Sequence, residues 1–273
     1  TLEPADADRP GAPGSHPEFD ALVRTIWRLR QPDGCPWDRE QTHESIRKNF
    51  IEETYEVVEA IDTKDAHLLC EELGDVLLQV VFHTEMEREA GHFTIDDVTD
   101  GIVKKLIYRH PHIFADTAAE TADKVLENWD ALKAKEKHRD TVTSSMRAVP
   151  RPLPALMRAD KVGKRAAKVG FDFATAADAA VKIAEETNEV LTATDATRAE
   201  EVGDLLFAAV NVARKCGVDP ERALSDATDK FINRFEAVEN AVRADGKTME
   251  NLSLSALDAY WDRVKAARNG ENT

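Results

Sequence analysis

The sequence IEETYEV at residues 51–57 returns as AEETNEV at residues 184–190. A second acidic phrase follows each copy, EELGDVL at residues 71–77 and EEVGDLL at residues 200–206. A fixed order of two acidic phrases is thus written twice along one chain. This internal similarity indicates that one structural unit has been duplicated.

Helical geometry gathers the acidic residues of each phrase on one face. With 3.6 residues per turn, Glu52, Glu53 and Glu56 fall within an arc of about 100°, and Glu72 lies about 60° from Asp75. Like charges at these spacings destabilise a helix by a few tenths of a kcal/mol per pair, roughly, and neither phrase itself carries a neutralising lysine. The pattern therefore predicts a bound metal ion as the missing cation.

The residues around the phrases predict a helical hairpin in each half. Segments 62–65 and 192–197 are polar, which favours a turn between two antiparallel helices. The second phrase continues into an apolar helix in both halves, and each helix should end near a glycine, Gly91 or Gly217. Such wide apolar faces need a partner helix in the same domain or in a second copy of the chain.

The sequence predicts an all-α fold of two tandem helical-hairpin domains with four-helix-bundle-type cores, associated as a homodimer. Prolines 150, 152 and 154 predict a linker. The predicted divisions are a disordered tail at 1–17, a first domain at 18–138, a linker at 139–154, a second domain at 155–268 and a tail at 269–273. Helices besides the hairpins are predicted at 19–30, 95–108, 121–138, 153–168, 219–242 and 254–268.

Composition limits the function classes. The chain has 273 residues, 42% apolar and 6% aromatic, which suits a helical globular protein. Its formal net charge of -16 argues against a polymeric nucleic acid as partner, because such binding depends on clustered lysines and arginines. Three scattered cysteines and the lack of an apolar stretch of membrane-spanning length predict a cytoplasmic protein with no membrane contact.

The donor types in the acidic faces favour a hard cation. Carboxylates from two helices can hold magnesium through oxygen, and magnesium in turn seeks phosphate oxygens. All eight histidines lie at or before His138, which excludes a histidine-bearing iron or zinc site in the second repeat. The two E-x-x-H matches, at residues 40–43 and 89–92, lie off the acidic helices, so a ferritin-like site is disfavoured.

A solvated helix face is the ordinary explanation of one acidic phrase. Two copies in the same order favour a functional site instead. Gly74 and Gly203 interrupt the second acidic helix of each copy, at a cost of about 1 kcal/mol relative to alanine. These glycines predict a packing or close-approach requirement at both positions.

Seven stretches together resemble a known family, MazG, the all-α nucleoside triphosphate pyrophosphohydrolases, in its tandem two-domain form. The resemblance covers nearly all of residues 18–268. The matching stretches are CPWD at 35–38, the acidic set from Glu52 to Asp75, YRHPHIF at 108–114, LPALM at 153–157, KVGFD at 168–172, the acidic set from Glu185 to Asp204, and KFINRF at 230–235.

The resemblance implies magnesium-dependent hydrolysis of a nucleoside triphosphate to the monophosphate and pyrophosphate, with broad base tolerance and with manganese as a possible substitute. The implied metal ligands are Glu186, Glu189, Glu201 and Asp204 in the second domain, and Glu53, Glu56, Glu72 and Asp75 in the first. Glu185 or Glu186 would position or deprotonate the attacking water. Glu52 would support the first site.

The resemblance also implies a set of nucleotide contacts: Lys182, Lys230, Arg234, Trp261, Lys265 and Lys133. The cationic side chains would neutralise the triphosphate, and Trp261 would stack on the base or ribose. Outside this resemblance, a helical lysine is usually solvated and a tryptophan usually belongs to a core.

The two domains are predicted to differ. Lys182 precedes the second acidic phrase by three residues, whereas Asn49 takes the equivalent place in the first domain. We therefore expect hydrolysis in the second domain, and dimerisation or a weaker site in the first. A short linker with Thr197 and Arg198, where the family often has a lysine, departs from the family pattern. The alternative function is a non-catalytic helical protein that senses nucleotides or partners.

Overall fold

The computed structural model describes residues 14–114 and 141–270, and every regular element in these two ranges is a helix. The prediction of an all-α fold is confirmed. The chain divides into two compact units, Thr1–Lys133 and Ala134–Thr273. The helix predicted at 121–138 lies outside the described residues.

No helix in the described part of the chain combines the length and the apolar character that a membrane span requires.

Six helices form the described part of the first unit. They are α1 (Pro17–Leu29), α2 (Pro36–Glu40), α3 (Arg47–Thr63), α4 (Ala66–Glu89), α5 (Ile95–Arg109) and α6 (Pro111–Phe114). Helices α3 and α4 make the predicted hairpin, and α1 and α5 pack against α4. The core of this unit consists of Ile26, Ile46, Val81, Phe82 and Met86.

The first hairpin turns within two residues. Lys64 adopts a left-handed conformation with φ 58°, which ends α3, and the Asp65 side chain accepts hydrogen bonds from the N–H groups of His67 and Leu68. This N-cap satisfies two of the amides that a helix start leaves without intrahelical partners. The polar segment that was predicted to be a turn therefore both ends α3 and starts α4.

Besides a 3₁₀ helix at Met249–Asn251, six α-helices form the described part of the second unit. They are α7 (Val142–Arg147), α8 (Ala155–Ala167), α9 (Ala176–Thr192), α10 (Arg198–Lys215), α11 (Pro220–Ala244) and α12 (Leu254–Gly270). Helices α9 and α10 form the second hairpin, and α8 packs on α10. Val238, Val242 and Tyr260 form a further core between α11 and α12.

A short helix, α7, lies inside the segment predicted to be a linker. Thr141 and Ser144 form a reciprocal capping box at its start, and the helix packs against α8. Local hydrogen bonds thus give helical structure to a stretch whose serines and threonines suggest a loop. The domain boundaries themselves stay a prediction.

Glycines end the long helices of both hairpins, as predicted. Gly91 has φ 76° and Gly217 has φ 71°, values that a residue without a Cβ adopts freely. After α4, the N–H of His92 donates to the Glu87 carbonyl, and after α10 the N–H of Val218 donates to the Ala213 carbonyl. These bonds belong to the Schellman arrangement, which satisfies carbonyls left over at the helix end.

Candidate functional site

The first acidic cluster joins the two helices of the first hairpin. Carboxylate oxygens of Glu53 and Glu56 on α3 and of Glu72 on α4 lie within 4.8 Å of one another. Burial and the charge of Asp75 raise the pKa of Glu53, and burial and Glu56 raise the pKa of the buried Glu72. Asp75 is outside this group of close oxygens, but its charge raises the pKa of Glu53 and of Glu72.

The second cluster has the same construction. Carboxylate oxygens of Glu186 on α9 and of Glu201 and Asp204 on α10 lie within 4.8 Å of one another. Glu189 stands beside this group, and its pKa is raised by the neighbouring Glu186 carboxyl group and by desolvation. The hairpin has therefore brought carboxylates from both acidic phrases to one place.

A lysine distinguishes the second cluster from the first. The Lys182 ammonium lies 2.8 Å from an oxygen of Glu185 and 2.8 Å from Oε1 of Glu186. The interpretation that no lysine neutralises the phrases is wrong here, because Lys182 stands one helical turn before them, at i,i+3 and i,i+4. This contact lowers the pKa of Glu186.

The first cluster has no equivalent cation in contact with it among the described residues. Lys48 does form an ion pair with Glu52, at 2.8 Å, but both side chains are exposed and Glu52 is not one of the three clustered carboxylates. Asn49, which is neutral, occupies the position that corresponds to Lys182. The two acidic sites thus share their carboxylates and differ in charge balance.

The second cluster fits a hard cation. Glu186 is 6% exposed, and while its Oε1 contacts Lys182, its buried Oε2 has no hydrogen-bond donor among the described residues. A buried carboxylate oxygen without a donor is costly, and a cation held with Glu201 and Asp204 would satisfy it. Since all the clustered atoms that could bind a metal are oxygens, magnesium, calcium or manganese suits the site better than zinc or copper.

The residues that match known proteins include both acidic clusters. The family model for the MazG nucleotide pyrophosphohydrolase domain matches residues 41–114 and 174–239. The chain belongs to the MazG family. A relative from Thermotoga maritima named nucleoside triphosphate pyrophosphohydrolase/pyrophosphatase MazG is 44% identical over 90% of this chain and 95% of its own.

Two further relatives support the MazG assignment. An Escherichia coli protein named nucleoside triphosphate pyrophosphohydrolase is 44% identical over 91% of this chain and 97% of its own length. A Mycobacterium tuberculosis protein of the same name is 34% identical over 84% of this chain and 62% of its own. The resemblance predicted from the motifs is confirmed at the level of the family.

Four of the other predicted nucleotide contacts of this MazG chain, Lys230, Arg234, Trp261 and Lys265, lie on α11 and α12. The Arg234 guanidinium is 5.0 Å from the centroid of the Trp261 ring, and Phe231 packs on the same ring at 5.2 Å. Lys230 and Lys265 are exposed. No hydrogen bond or ion pair among the described residues joins these side chains to the acidic cluster. Lys133 lies outside the described residues.

The two helix-interrupting glycines are not explained by packing within the described chain. A Cβ built on Gly74 or Gly203 would meet no atom within 4 Å. The predicted close approach is therefore absent inside each unit. Large apolar side chains beside them, Leu73, Leu77 and Leu206, are exposed as well.

Histidines of the first unit meet away from the acidic cluster. His43 and His92 contact the two oxygens of Glu87, at 2.7 Å and 2.6 Å, and His83 lies 2.7 Å from His43. The E-x-x-H matches in the sequence therefore pair neither with each other nor with their own glutamates. This chain of contacts lowers the pKa of Glu87, and burial lowers that of His83.

Sequence reasoning missed a buried polar group on α10, the helix that also carries Glu201 and Asp204. Asn211 and Arg214 follow Asp204 on α10, and the Arg214 guanidinium forms an ion pair with Asp172 in the loop before α9. One signal was available, because Asn211 comes seven residues after Asp204 and so falls on nearly the same helix face. The pairing of residues 42 positions apart had no such signal.

Replacing Glu53 by glutamine should stabilise the metal-free protein. A raised carboxyl pKa means that the folded state binds more protons than the unfolded state, so wild-type stability falls as pH rises above the usual glutamate range. Glu53→Gln removes this loss of stability and should raise the free energy of unfolding by roughly a few tenths of a kcal/mol for each like-charge contact relieved. The advantage should be full at high pH and shrink as pH falls towards the usual glutamate pKa.

Thermal unfolding in EDTA across this pH range measures the effect. Glu52→Gln is the matched control, because it removes a neighbouring carboxylate that is paired with Lys48, and it should give no such gain. A Glu53→Gln variant that is less stable than wild type at high pH without metal would contradict the electrostatic interpretation.

Proposed function

We propose that this chain is a magnesium-dependent nucleoside triphosphate pyrophosphohydrolase that converts a nucleoside triphosphate and water to the monophosphate and pyrophosphate, with broad base tolerance. The observation that carries the proposal is the second cluster: Glu186, Glu201 and Asp204 with close oxygens and Lys182 at its edge. Relatives that match nearly the whole chain carry the name of this activity.

The carboxylates divide into ligands and a base. Glu186, Glu189, Glu201 and Asp204 would hold magnesium, for which manganese would substitute. When bound, the metal neutralises phosphate charge and makes a water molecule more acidic. Glu185 is next to the buried ligand, and its side chain is 52% exposed, so it would be the group that accepts the proton of the attacking water.

Lys182 acts on the substrate's charge. In the absence of substrate its ammonium is held by Glu185 and Glu186. These contacts keep the lysine protonated, since they raise its pKa. On binding, Lys182 contacts the triphosphate and stabilises the charge that develops on the leaving pyrophosphate.

Further nucleotide contacts are proposed from the family resemblance. Trp261, stacked with Arg234, offers an aromatic face to the base or ribose, and Lys230, Lys265 and Lys133 supply positive charge. Glu52 would support the first site, where Glu53, Glu56, Glu72 and Asp75 would bind metal with no adjacent cation among the described residues. That site is the weaker one or serves assembly.

A homodimer is proposed from the uncovered apolar faces of the hairpins. Ile51, Tyr55 and Val58 on α3 and Leu73 and Leu77 on α4 are exposed. Open space above Gly74 would let a helix of a second copy approach closely. Sedimentation equilibrium should give twice the chain mass, and a monomer at all concentrations would contradict this proposal.

Pyrophosphate release from a panel of nucleoside triphosphates tests the activity. Release from several bases supports the enzyme. The alternative, a nucleotide sensor, predicts tight binding of the same compounds without release.

A further inference from the structure

Gln79 is a buried polar residue of α4 that the proposed chemistry does not use. It is 8% exposed, and its Oε1 has no hydrogen-bond donor among the residues that the structure describes. A buried acceptor without a donor is costly to the folded state, and such a group usually meets an ordered water or an ion. The Gln79 oxygen therefore indicates a ligand held inside the first unit.

The position of Gln79 on α4 directs its side chain at the first acidic cluster. Gln79 follows Asp75 by four residues and Glu72 by seven. Its direction around the helix axis falls between the directions of these two carboxylates, about 20° from Glu72 and about 40° from Asp75. Long side chains on a helix also lean towards its N-terminus, which brings the amide back over the turn that carries Asp75.

Asn49 brings a second amide to the same end of the cluster. It precedes Glu53 by four residues on α3, just as Gln79 follows Asp75 by four residues on α4. Because the two helices of a hairpin run antiparallel, both positions lie one helical turn beyond the cluster, on the side away from the hairpin turn. Two neutral amides therefore border the first cluster.

The second unit has different residues at both positions. Lys182 precedes Glu186 by four residues, and Ala208, which is buried, follows Asp204 by four. The Lys182 ammonium contacts Oε1 of Glu186, so it takes one oxygen from a metal and adds a positive charge beside it. In the first unit, two groups with an amide oxygen replace this lysine and alanine.

Amide oxygens favour calcium over magnesium. Calcium binds about six to eight oxygens at about 2.3–2.6 Å, and asparagine and glutamine carbonyls are among its usual ligands. Magnesium needs a near-octahedral shell at about 2.0–2.1 Å, keeps several waters and is often held by substrate phosphates. The four carboxylates of the first cluster and the Gln79 amide together offer enough oxygens for calcium.

We propose that the first cluster prefers calcium to magnesium and that the Gln79 oxygen is the ligand that sets this preference. The inference rests on the metal binding proposed for this cluster. Calcium would join α3 to α4 and so stabilise the first unit, whereas magnesium would serve the substrate phosphates at the second cluster. The two repeats would then bind different cations for different purposes.

Calorimetric titration with calcium chloride and with magnesium chloride measures the preference. The full chain carries Glu186→Gln in both titrations, so that metal binding at the second cluster is weakened. We expect the calcium dissociation constant to be at least about tenfold below that of magnesium. Equal constants, or a lower constant for magnesium, would overturn the proposal.

Addition of Gln79→Leu to this variant tests the ligand itself. Leucine removes the oxygen that lacks a donor, so the unfolding temperature in EDTA should rise by about 2–4 °C. The calcium dissociation constant should rise by about tenfold, as loss of a metal-supporting group allows. Magnesium binding should change little, because a water can take the place of the amide. A lower unfolding temperature in EDTA with unchanged calcium binding would make Gln79 a purely structural residue.

A second variant, Asn49→Lys, guards against misfolding of the leucine variant. It places at the first cluster the ammonium that Lys182 places beside the second. The calcium dissociation constant should rise by at least about tenfold, since the new charge would repel the ion and compete for an oxygen of Glu53. Unaltered calcium binding would overturn the placement of the ion at this cluster.

The outcomes separate this inference from the proposed hydrolysis. If neither ion binds the Glu186→Gln chain but the wild-type chain releases pyrophosphate, the calcium site fails and the hydrolase proposal stands. If the wild-type chain releases no pyrophosphate but calcium binding depends on Gln79, the hydrolase proposal fails and the calcium site stands.

Discussion

Glu186→Gln is expected to lower the rate of pyrophosphate release by at least about 100-fold, because loss of groups that only support metal ligands already costs about 10- to 100-fold. Glutamine keeps the size of the side chain but not the charge of the buried oxygens. The Glu201 and Asp204 carboxylates would then hold metal with one ligand fewer. Glu53→Gln should retain most of the wild-type rate, since its cluster lacks a counterpart of Lys182.

Steady-state rates with magnesium, compared for wild type and the two variants, measure this prediction. Glu236→Gln, an exposed carboxylate on α11, is the control for a general effect of charge. Thermal unfolding of each variant confirms that it is folded. A rate that collapses in Glu53→Gln but survives in Glu186→Gln would place hydrolysis in the first unit.

Magnesium should stabilise the folded protein strongly. At a free concentration of 100 times its dissociation constant, a ligand that binds only the folded state adds about 2.7 kcal/mol to the free energy of unfolding. Each cluster should bind magnesium only in the folded state, because it unites carboxylates from two helices that the unfolded chain does not hold together. Denaturant unfolding with increasing magnesium gives this quantity.

The double variant Glu53→Gln with Glu186→Gln should lose the stabilisation. Sodium chloride at matched ionic strength controls for screening of the negative net charge, which also favours the folded state. Equal stabilisation of wild type and double variant by magnesium would show that the ion acts by screening, and the two clusters would not be metal sites.

Local patterns made most of the fold predictable. The two hairpins, their polar turns and the glycines at their ends depend on residues within a few positions of one another, and all are found in the structure. Helix α7 was missed because Thr141 and Ser144 have the composition of a loop, although they cap a helix. The exposed apolar faces of the hairpins were predictable from the helical pattern. What covers these faces was not, because a local pattern does not identify the partner.

The site was predictable where one helix face carried it. Glu186 and the pair of Glu201 and Asp204 could each be placed from helical periodicity, and the hairpin then brings the helices together. Lys182 was overlooked as a neutralising charge because it precedes the phrase by a turn. The contacts of Arg214 with Asp172 and of His43 with Glu87 join residues more than 40 positions apart, which periodicity cannot reveal.

Analysis of the reaction products by phosphorus-31 nuclear magnetic resonance tests the central proposal most directly. The intact chain is incubated with a nucleoside triphosphate in magnesium and, in parallel, in EDTA. We expect equal amounts of monophosphate and pyrophosphate with magnesium and no turnover in EDTA. Diphosphate with inorganic phosphate, turnover that persists in EDTA, or binding without any product would contradict a metal-dependent pyrophosphohydrolase.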